Sequence, residues 1–119
     1  MFFLSDFLIL VRGAGDLGTG VAYRLHRAGF TVMATDLAQP TCVRRAVAFA
    51  EAMYAGSITV EGVTAVRVDD PMLGMAHTIM REMPVVVDDR SVLERMRPAI
   101  VVDARLAKRN LDTRIRDAK

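Results

Sequence analysis

The amino-acid sequence predicts an α/β protein in which an open, mostly parallel sheet carries helices on both faces. Residues 7–11 form a continuous apolar run, which is typical of a strand covered on both sides. A glycine-rich turn and a helical pattern follow, and a second apolar run over residues 30–35 ends at Asp36. Strand, glycine turn, helix, strand and acid in this order indicate a compact βαβ unit.

Two helices are expected around the second strand. In the first, Leu17, Val21, Leu25 and Ala28 recur at helical spacing, and Gly29 follows where the helix should end. The second begins after Pro40 and is closed by Gly56. Its apolar stripe consists of Val43, Ala46, Val47, Ala50, Met53 and Tyr54.

Beyond residue 56 the period changes to that of strands. Residues 57–68 contain a Glu61-Gly62 turn between two short apolar stretches, so we expect a small β-hairpin insertion. Helical spacing returns over residues 71–83, and residues 84–87 form a third core strand.

The last predicted elements are a short helix and a fourth strand. Ser91 and Glu94 have the spacing of a capping box, and Pro98 must end the helix that they begin. The strand covers residues 99–102 and ends at Asp103. The expected architecture is a Rossmann-like, doubly wound, mostly parallel sheet of four core strands with a small hairpin insertion.

Composition limits the classes of protein to consider. The 119 residues are enough for one domain, and 52% of them are hydrophobic, so the chain should fold around a single core. We therefore treat residues 1–119 as one Rossmann-like domain, which is either complete or the N-terminal part of a longer protein.

Charge and cysteine content point to a cytoplasmic protein. The net charge is only +2, and no run of five like charges occurs, which argues against nucleic-acid or membrane binding. Cys42 is the only cysteine, so a disulfide framework is excluded and a reducing compartment is expected. The apolar start lacks the basic segment of a signal peptide and is interrupted by Asp6.

The glycine turn has the spacing G-x-G-x-x-G. Gly13 allows a tight turn, Gly15 lets the backbone approach a pyrophosphate, and Gly18 lets the helix pack on the sheet. The helix N-terminus adds N–H donors and a positive dipole end. Because the turn follows a strand and opens a helix, it predicts a phosphate site, although a turn kept only for packing is the alternative. The predicted phosphate loop consists of Gly13, Ala14, Gly15, Asp16, Leu17 and Gly18.

Two acids bear on the identity of the ligand. Asp36 stands 18 residues after Gly18, where a carboxylate can accept both ribose hydroxyls and would repel a 2′-phosphate. This favours NAD or another adenosine nucleotide over NADP, and a solvated strand-end residue is the alternative. Asp16 would compete with a phosphate for the same N–H groups, so we expect it to cap the helix or to contact a ligand or metal directly.

Other charged residues have more than one interpretation. Arg44 and Arg45 either reach an anionic ligand or face solvent. Asp88, Asp89 and Asp103 follow strand ends, where open α/β sheets place ligands, although acids at such positions are more often turn or cap residues.

The remaining chemistry-bearing residues are expected to be structural. Cys42 is read as a small buried residue, and His26 is placed on the solvent side of the first helix. His77 lies in a Met-rich helix whose Met face is read as core. No metal-ligand spacing is present, so we expect no metal site.

Three stretches go beyond a generic Rossmann pattern. The first is R-G-A-G-D-L-G-T-G-V-A at residues 12–22, and the second is V-R-R-A-V-A-F-A-E-A at residues 43–52, followed by V-E-G-V at residues 60–63. The third and most specific is V-D-A-R-L-A-K-R-N-L-D-T at residues 102–113. Together they resemble the N-terminal half of the YqeB-like accessory proteins of selenium-dependent molybdenum hydroxylases, which are similar in their Rossmann core to XdhC-type maturation factors.

The resemblance implies a maturation role around the molybdenum cofactor, with a molybdenum hydroxylase apoenzyme as partner. It makes five residues candidates for an anionic-ligand site: Arg44, Arg45, Asp103, Arg105 and Lys108. We expect this site between the glycine turn and residues 103–109, where Arg side chains suit phosphate or carboxylate contacts.

Two other functions stay open at this stage. An NAD-dependent oxidoreductase would need a substrate domain with a general acid or base, which the sequence does not supply. A non-enzymatic nucleotide-sensing module would use the same turn and would usually dimerise. The sequence does not decide whether the chain catalyses a reaction, whether it forms a homo-oligomer, or which small molecule it binds.

Overall fold

The computed structural model describes residues 4–37 and 48–105, which form six strands in one sheet and four α-helices. Short 3₁₀ turns lie at Leu4–Asp6 and Phe49–Glu51. The strands are β1 Leu8–Arg12, β2 Thr31–Asp36, β3 Ser57–Val60, β4 Val63–Arg67, β5 Met83–Val87 and β6 Ile100–Asp103. The helices are α1 Asp16–Ala28, α2 Ala52–Ala55, α3 Pro71–Ile79 and α4 Arg90–Met96. None of these helices is long and apolar enough to cross a membrane.

The sheet has the strand order β3-β4-β5-β2-β1-β6 and is parallel except for one pair. That pair is the predicted hairpin, β3 and β4. It does not stand apart from the sheet, because β4 runs parallel to β5 and continues the sheet at its edge. Val63 and Ala65 of β4 are buried, which explains why the hairpin joins the core.

Alternating side chains divide the core between the two faces of the sheet. On one face, Ile9 and Val11 pack with α1 and with residues 49–53. On the other, Leu10 packs with α4 and with part of α3. Helices therefore cover both faces of a mixed α/β sheet, as the sequence predicts.

Helix α1 ends as predicted, but its burial differs from expectation at both ends. Gly29 takes the left-handed conformation (φ 111°) and closes the helix. Leu17, expected on the apolar stripe, is 56% exposed and lies in the first turn of the helix. His26, expected to face solvent, is buried because the turn before β5 packs against it, and its Nε2 lies 3.0 Å from the Arg81 carbonyl oxygen.

The capping-box prediction for α4 is wrong. The N-cap is Asp89, whose carboxylate accepts a hydrogen bond from the Ser91 N–H at 3.0 Å. Because an acid two residues before Ser91 already satisfies the helix end, the helix starts one residue earlier than Ser91. It stops before Pro98, as expected, with Arg97 in the left-handed conformation.

The interpretation of the Met-rich face as core is only partly correct. Met83 is fully buried in β5, and Met75 packs against the core on the face of the sheet that carries Leu10. Met72 and Met80 are largely exposed, because α3 contacts the sheet through the opposite side, where Gly74 lies close to Pro84.

Of the predicted second helix, residues 43–47 lie outside the described part, together with Cys42. The described part is a 3₁₀ turn followed by the one-turn helix α2, with Phe49 and Met53 buried and Tyr54 exposed.

Candidate functional site

The carboxyl ends of β1, β2, β5 and β6 meet at one edge of the sheet. Strand β1 lies between β2 and β6, and all of its pairings are parallel. The chain moves from β1 to β2 on one side and later returns to β6 on the other, so the direction of winding reverses at β1. In open α/β sheets the crevice at such a switch point is where ligands bind.

The glycine turn after β1 has no room for side chains. Gly13 has φ 102°, and a Cβ there would lie 3.0 Å from the carbonyl carbon and oxygen of Ala104. A Cβ at Gly18 would clash with the carbonyl oxygen of Gly13. Gly13 therefore allows the tight turn after β1, and Gly18 lets the start of α1 pack closely against that turn.

Among the described side chains, none caps the N-terminus of α1. Its N-cap is Gly15, with no capping hydrogen bond, so Asp16 is the first helical residue and does not hold the capping position. The side chain of Asp16 lies outside the described part. The first N–H groups of a helix have no intrahelical partner and mark the positive end of the helix dipole. This end of α1 therefore offers donors to an anion.

Asp36 lies directly against the glycine turn. Its Oδ2 accepts a hydrogen bond from the Ala14 N–H at 2.7 Å, and its Oδ1 accepts one from the Leu37 N–H at 2.7 Å. Each oxygen keeps a further lone pair for a ligand hydroxyl. The end of β2 therefore places a carboxylate beside the turn, where the spacing in sequence had put it.

A buried ion pair connects β1 to the loop after β5. Arg12, 1% exposed, donates from Nε and Nη2 to the two carboxylate oxygens of Asp88, both at 3.0 Å. The hydroxyl of Thr35 donates to Asp88 Oδ1 at 2.7 Å. Paired fork-to-fork contacts of this kind are among the stronger hydrogen bonds in proteins.

The segment after β6 joins the same group of charges. Arg105 Nε and Nη2 donate to Asp103 at 2.9 and 2.7 Å, and Arg105 Nη1 lies 3.4 Å from Asp88 Oδ2. Arg105 is thus on the same edge as the glycine turn, and its backbone N would lie 3.0 Å from a Cβ at Gly13. Its charge, expected to face a ligand, is matched here by two carboxylates.

The structure brings together most of the predicted site. The glycine turn, Asp36, Asp103 and Arg105 meet at the switch point, and Arg44, Arg45 and Lys108 lie outside the described residues. Within residues 4–37 and 48–105, no three His, Cys, Asp or Glu side chains are grouped so that they could hold a metal ion.

Sequence reasoning missed Arg12 and Thr35. A signal for Arg12 was present, because a charged residue ends an otherwise apolar strand and must find a partner when the strand is buried on both faces. No pattern in the sequence names that partner, since Asp88 is 76 residues away.

Fold and site together define a mixed α/β protein with a glycine turn and a carboxylate at the switch point of a mostly parallel sheet. In sequence the chain is similar to the uncharacterized protein YqeB of Escherichia coli (strain K12), with 47% identity over 108 residues. The aligned region is 90% of this chain and 20% of that relative's length. No protein-family model matches the chain, and no solved structure matches it.

Proposed function

We propose that this chain is a Rossmann-like nucleotide- or cofactor-binding domain. The order β5-β2-β1-β6, with β1 between β2 and β6 and helices on both faces, supports this because it corresponds to the strand order 3-2-1-4 of dinucleotide-binding sheets. The hairpin β3-β4 is an addition beyond that core.

The observation that carries the proposal is the hydrogen bond between Asp36 and the Ala14 N–H. It places a carboxylate beside an uncapped helix N-terminus, so one ligand can present a phosphate to α1 and ribose hydroxyls to Asp36. NAD or another adenosine nucleotide meets both requirements, and the negative charge of Asp36 disfavours a 2′-phosphate. The phosphate of a molybdenum cofactor would suit the same helix end.

Apolar surface beside Asp36 suits a base. Leu37 follows Asp36 and is 59% exposed, and Val87, paired with Asp36 across the sheet, is 40% exposed. Apolar walls with a few convergent polar groups are typical of small-molecule sites. We assign the adenine ring to this surface.

For the cellular role, we propose an accessory function in maturation of a selenium-dependent molybdenum hydroxylase. The resemblance of residues 12–22, 43–52 and 102–113 to YqeB-like accessory proteins supports this role, and the region aligned with YqeB spans 20% of that relative's length. Deleting the gene in a host that makes such a hydroxylase should lower hydroxylase activity but not hydroxylase protein. The wild-type gene should restore activity, and Gly15→Val should not.

The binding proposal is tested by calorimetric titration with NAD and NADP. We expect NAD to bind more tightly than NADP. Asp36→Asn should weaken NAD binding by about tenfold and reduce the preference for NAD over NADP. Asp69→Asn is the matched control, since this carboxylate is 94% exposed and pairs with Arg67 away from the glycine turn. Equal or tighter binding of NADP by the wild type would contradict the role of Asp36.

A further inference from the structure

Arg12 is a charge placed where stability alone does not require one. It occupies the last position of β1, immediately before Gly13, and its side chain is 1% exposed. Removing a guanidinium from water costs free energy, and apolar replacements of buried ion pairs are often neutral or stabilising. A charge kept at this position therefore calls for a geometric role.

Its partner, Asp88, is a junction of four strand ends. Oδ1 accepts from Arg12 Nε and from the Thr35 hydroxyl, and Oδ2 accepts from Arg12 Nη2 and from Arg105 Nη1. Each oxygen thus holds two donors, which fills the acceptor capacity of the carboxylate. The Asp88 carboxylate therefore bonds to other residues of the protein and is not available to bind a ligand.

The same residues are connected by backbone hydrogen bonds to the proposed nucleotide site. The Asp88 N–H donates to the Asp36 carbonyl at 2.7 Å, and the Ala104 N–H donates to the Arg12 carbonyl at 2.7 Å. Asp36 in turn holds the Ala14 N–H through its side chain. A shift of Asp88 would move Asp36 and the glycine turn with it.

We propose that Arg12 is a positioning residue for the nucleotide site, an inference that rests on the proposed function. The two hydrogen bonds from Arg12 to Asp88 hold the loop after β5 in place. Because Asp88 is bonded to the Asp36 backbone, this loop determines the position of Asp36 relative to the ligand's ribose. Arg12 itself does not contact the ligand. Binding groups held by a second layer of hydrogen bonds are preorganised, which raises affinity.

Arg12→Lys tests this, because lysine keeps the charge but loses the planar fork. We expect the Kd for NAD to rise about tenfold at a temperature where circular dichroism shows the variant folded. Arg95→Lys is the matched control, since Arg95 also pairs with an aspartate, Asp70, at 2.8 Å, but is half exposed. If Arg12→Lys folds and binds NAD as the wild type does, the proposal is wrong.

A double-mutant cycle separates positioning from loss of stability. If Arg12 acts through Asp36, the losses in NAD affinity from Arg12→Lys and Asp36→Asn should be less than additive when the two are combined. Additive losses would overturn the proposal. Should Arg12→Lys fail to fold, Thr35→Val removes one donor to Asp88 and should weaken NAD binding in the same direction, and unchanged binding there would count against the idea.

Hydrogen exchange distinguishes this proposal from the proposed function. If the wild type binds no NAD, the assignment of NAD as the ligand fails, but the effect of Arg12 on Asp88 and the glycine turn can still be measured. Arg12→Lys should speed exchange at the Ala14 and Asp88 amides several-fold more than at Met33 in the sheet core. Equal acceleration at all three amides would mean that Arg12 only contributes to global stability, and would overturn the proposal in either case.

Discussion

The two ends of the sheet are held together by different chemistry. At the carboxyl end, Arg12 and Arg105 meet the carboxylates of Asp88 and Asp103. At the amino end, Arg81 donates to the carbonyl oxygens of His26 and Phe30, at 2.7 and 3.5 Å, and its own carbonyl lies 3.0 Å from His26 Nε2. At the carboxyl end, arginine side chains pair with carboxylates. At the amino end, the Arg81 guanidinium is held by neutral carbonyl oxygens.

The difference supports our proposal that the ligand binds at the carboxyl end of the sheet. At the amino end, carbonyl acceptors join the end of α1 to the turn before β5 through Arg81. At the carboxyl end, charged side chains of both signs lie beside the N-terminus of α1, whose N-cap is a glycine. Their electrostatic potential would act on a charged ligand. We therefore assign ligand binding to the carboxyl end of the sheet.

The largest effect should come from removing the acceptor at the carboxyl end. Asp88→Ala leaves the Arg12 guanidinium buried without its partner, and we expect a loss of about 3–5 kcal/mol in the free energy of unfolding. Asp89→Ala is the control, because the neighbouring residue is only the N-cap of α4 and should cost about 1 kcal/mol. Urea denaturation measures the free energy of unfolding of both variants. Similar losses would contradict the special role of Asp88 as the partner of Arg12.

A second substitution tests the close packing of the glycine turn. In Gly18→Ala the added Cβ would clash with the Gly13 carbonyl, so we expect a loss of about 3 kcal/mol. Gly20→Ala, one half-turn later in α1, meets only the flexible tip of Arg24 at 3.2 Å. It should be neutral or stabilise the helix by up to about 1 kcal/mol. If urea denaturation shows equal changes in the free energy of unfolding for the two variants, close packing at the glycine turn is not what makes Gly18 necessary.

The smallest effect should appear as a pH dependence at the amino end. Burial, and then the charge of Arg81, lower the pKa of His26 below its ordinary value of 6.5. The folded state therefore holds His26 neutral while the unfolded chain takes up a proton, so stability is complete above pH 6.5 and falls as the pH drops below it.

His26→Gln keeps a donor for the Arg81 carbonyl and cannot be protonated. Its melting temperature should fall less than that of the wild type between pH 7.5 and pH 5.5. Within residues 4–37 and 48–105 the buried His26 Nδ1 has no hydrogen-bond partner, so protonating it would add an unsatisfied donor. Parallel pH profiles for the two proteins would show that His26 does not titrate in this range.

Much of the fold and part of the site could be read from local sequence. The apolar runs that became β1 and β2, the helix closed by Gly29, and the acid at the end of β2 all follow from patterns whose period or spacing is set by neighbouring residues. The glycine turn belongs to this group as well, because its steric requirements are local and recur wherever a strand turns directly into a helix. By itself, then, the sequence determined the order of the elements and the place of the turn.

Contacts between distant segments were decided only by the tertiary structure. The partner of Arg12 lies on another strand end, and burial of His26 depends on a turn 55 residues away. Periodicity gives the face of an element but not what packs on that face, so it could not place the hairpin at the sheet edge or leave Met72 exposed. Charges at strand ends pair according to which strands are neighbours, and that order is a property of the folded sheet rather than of any local pattern.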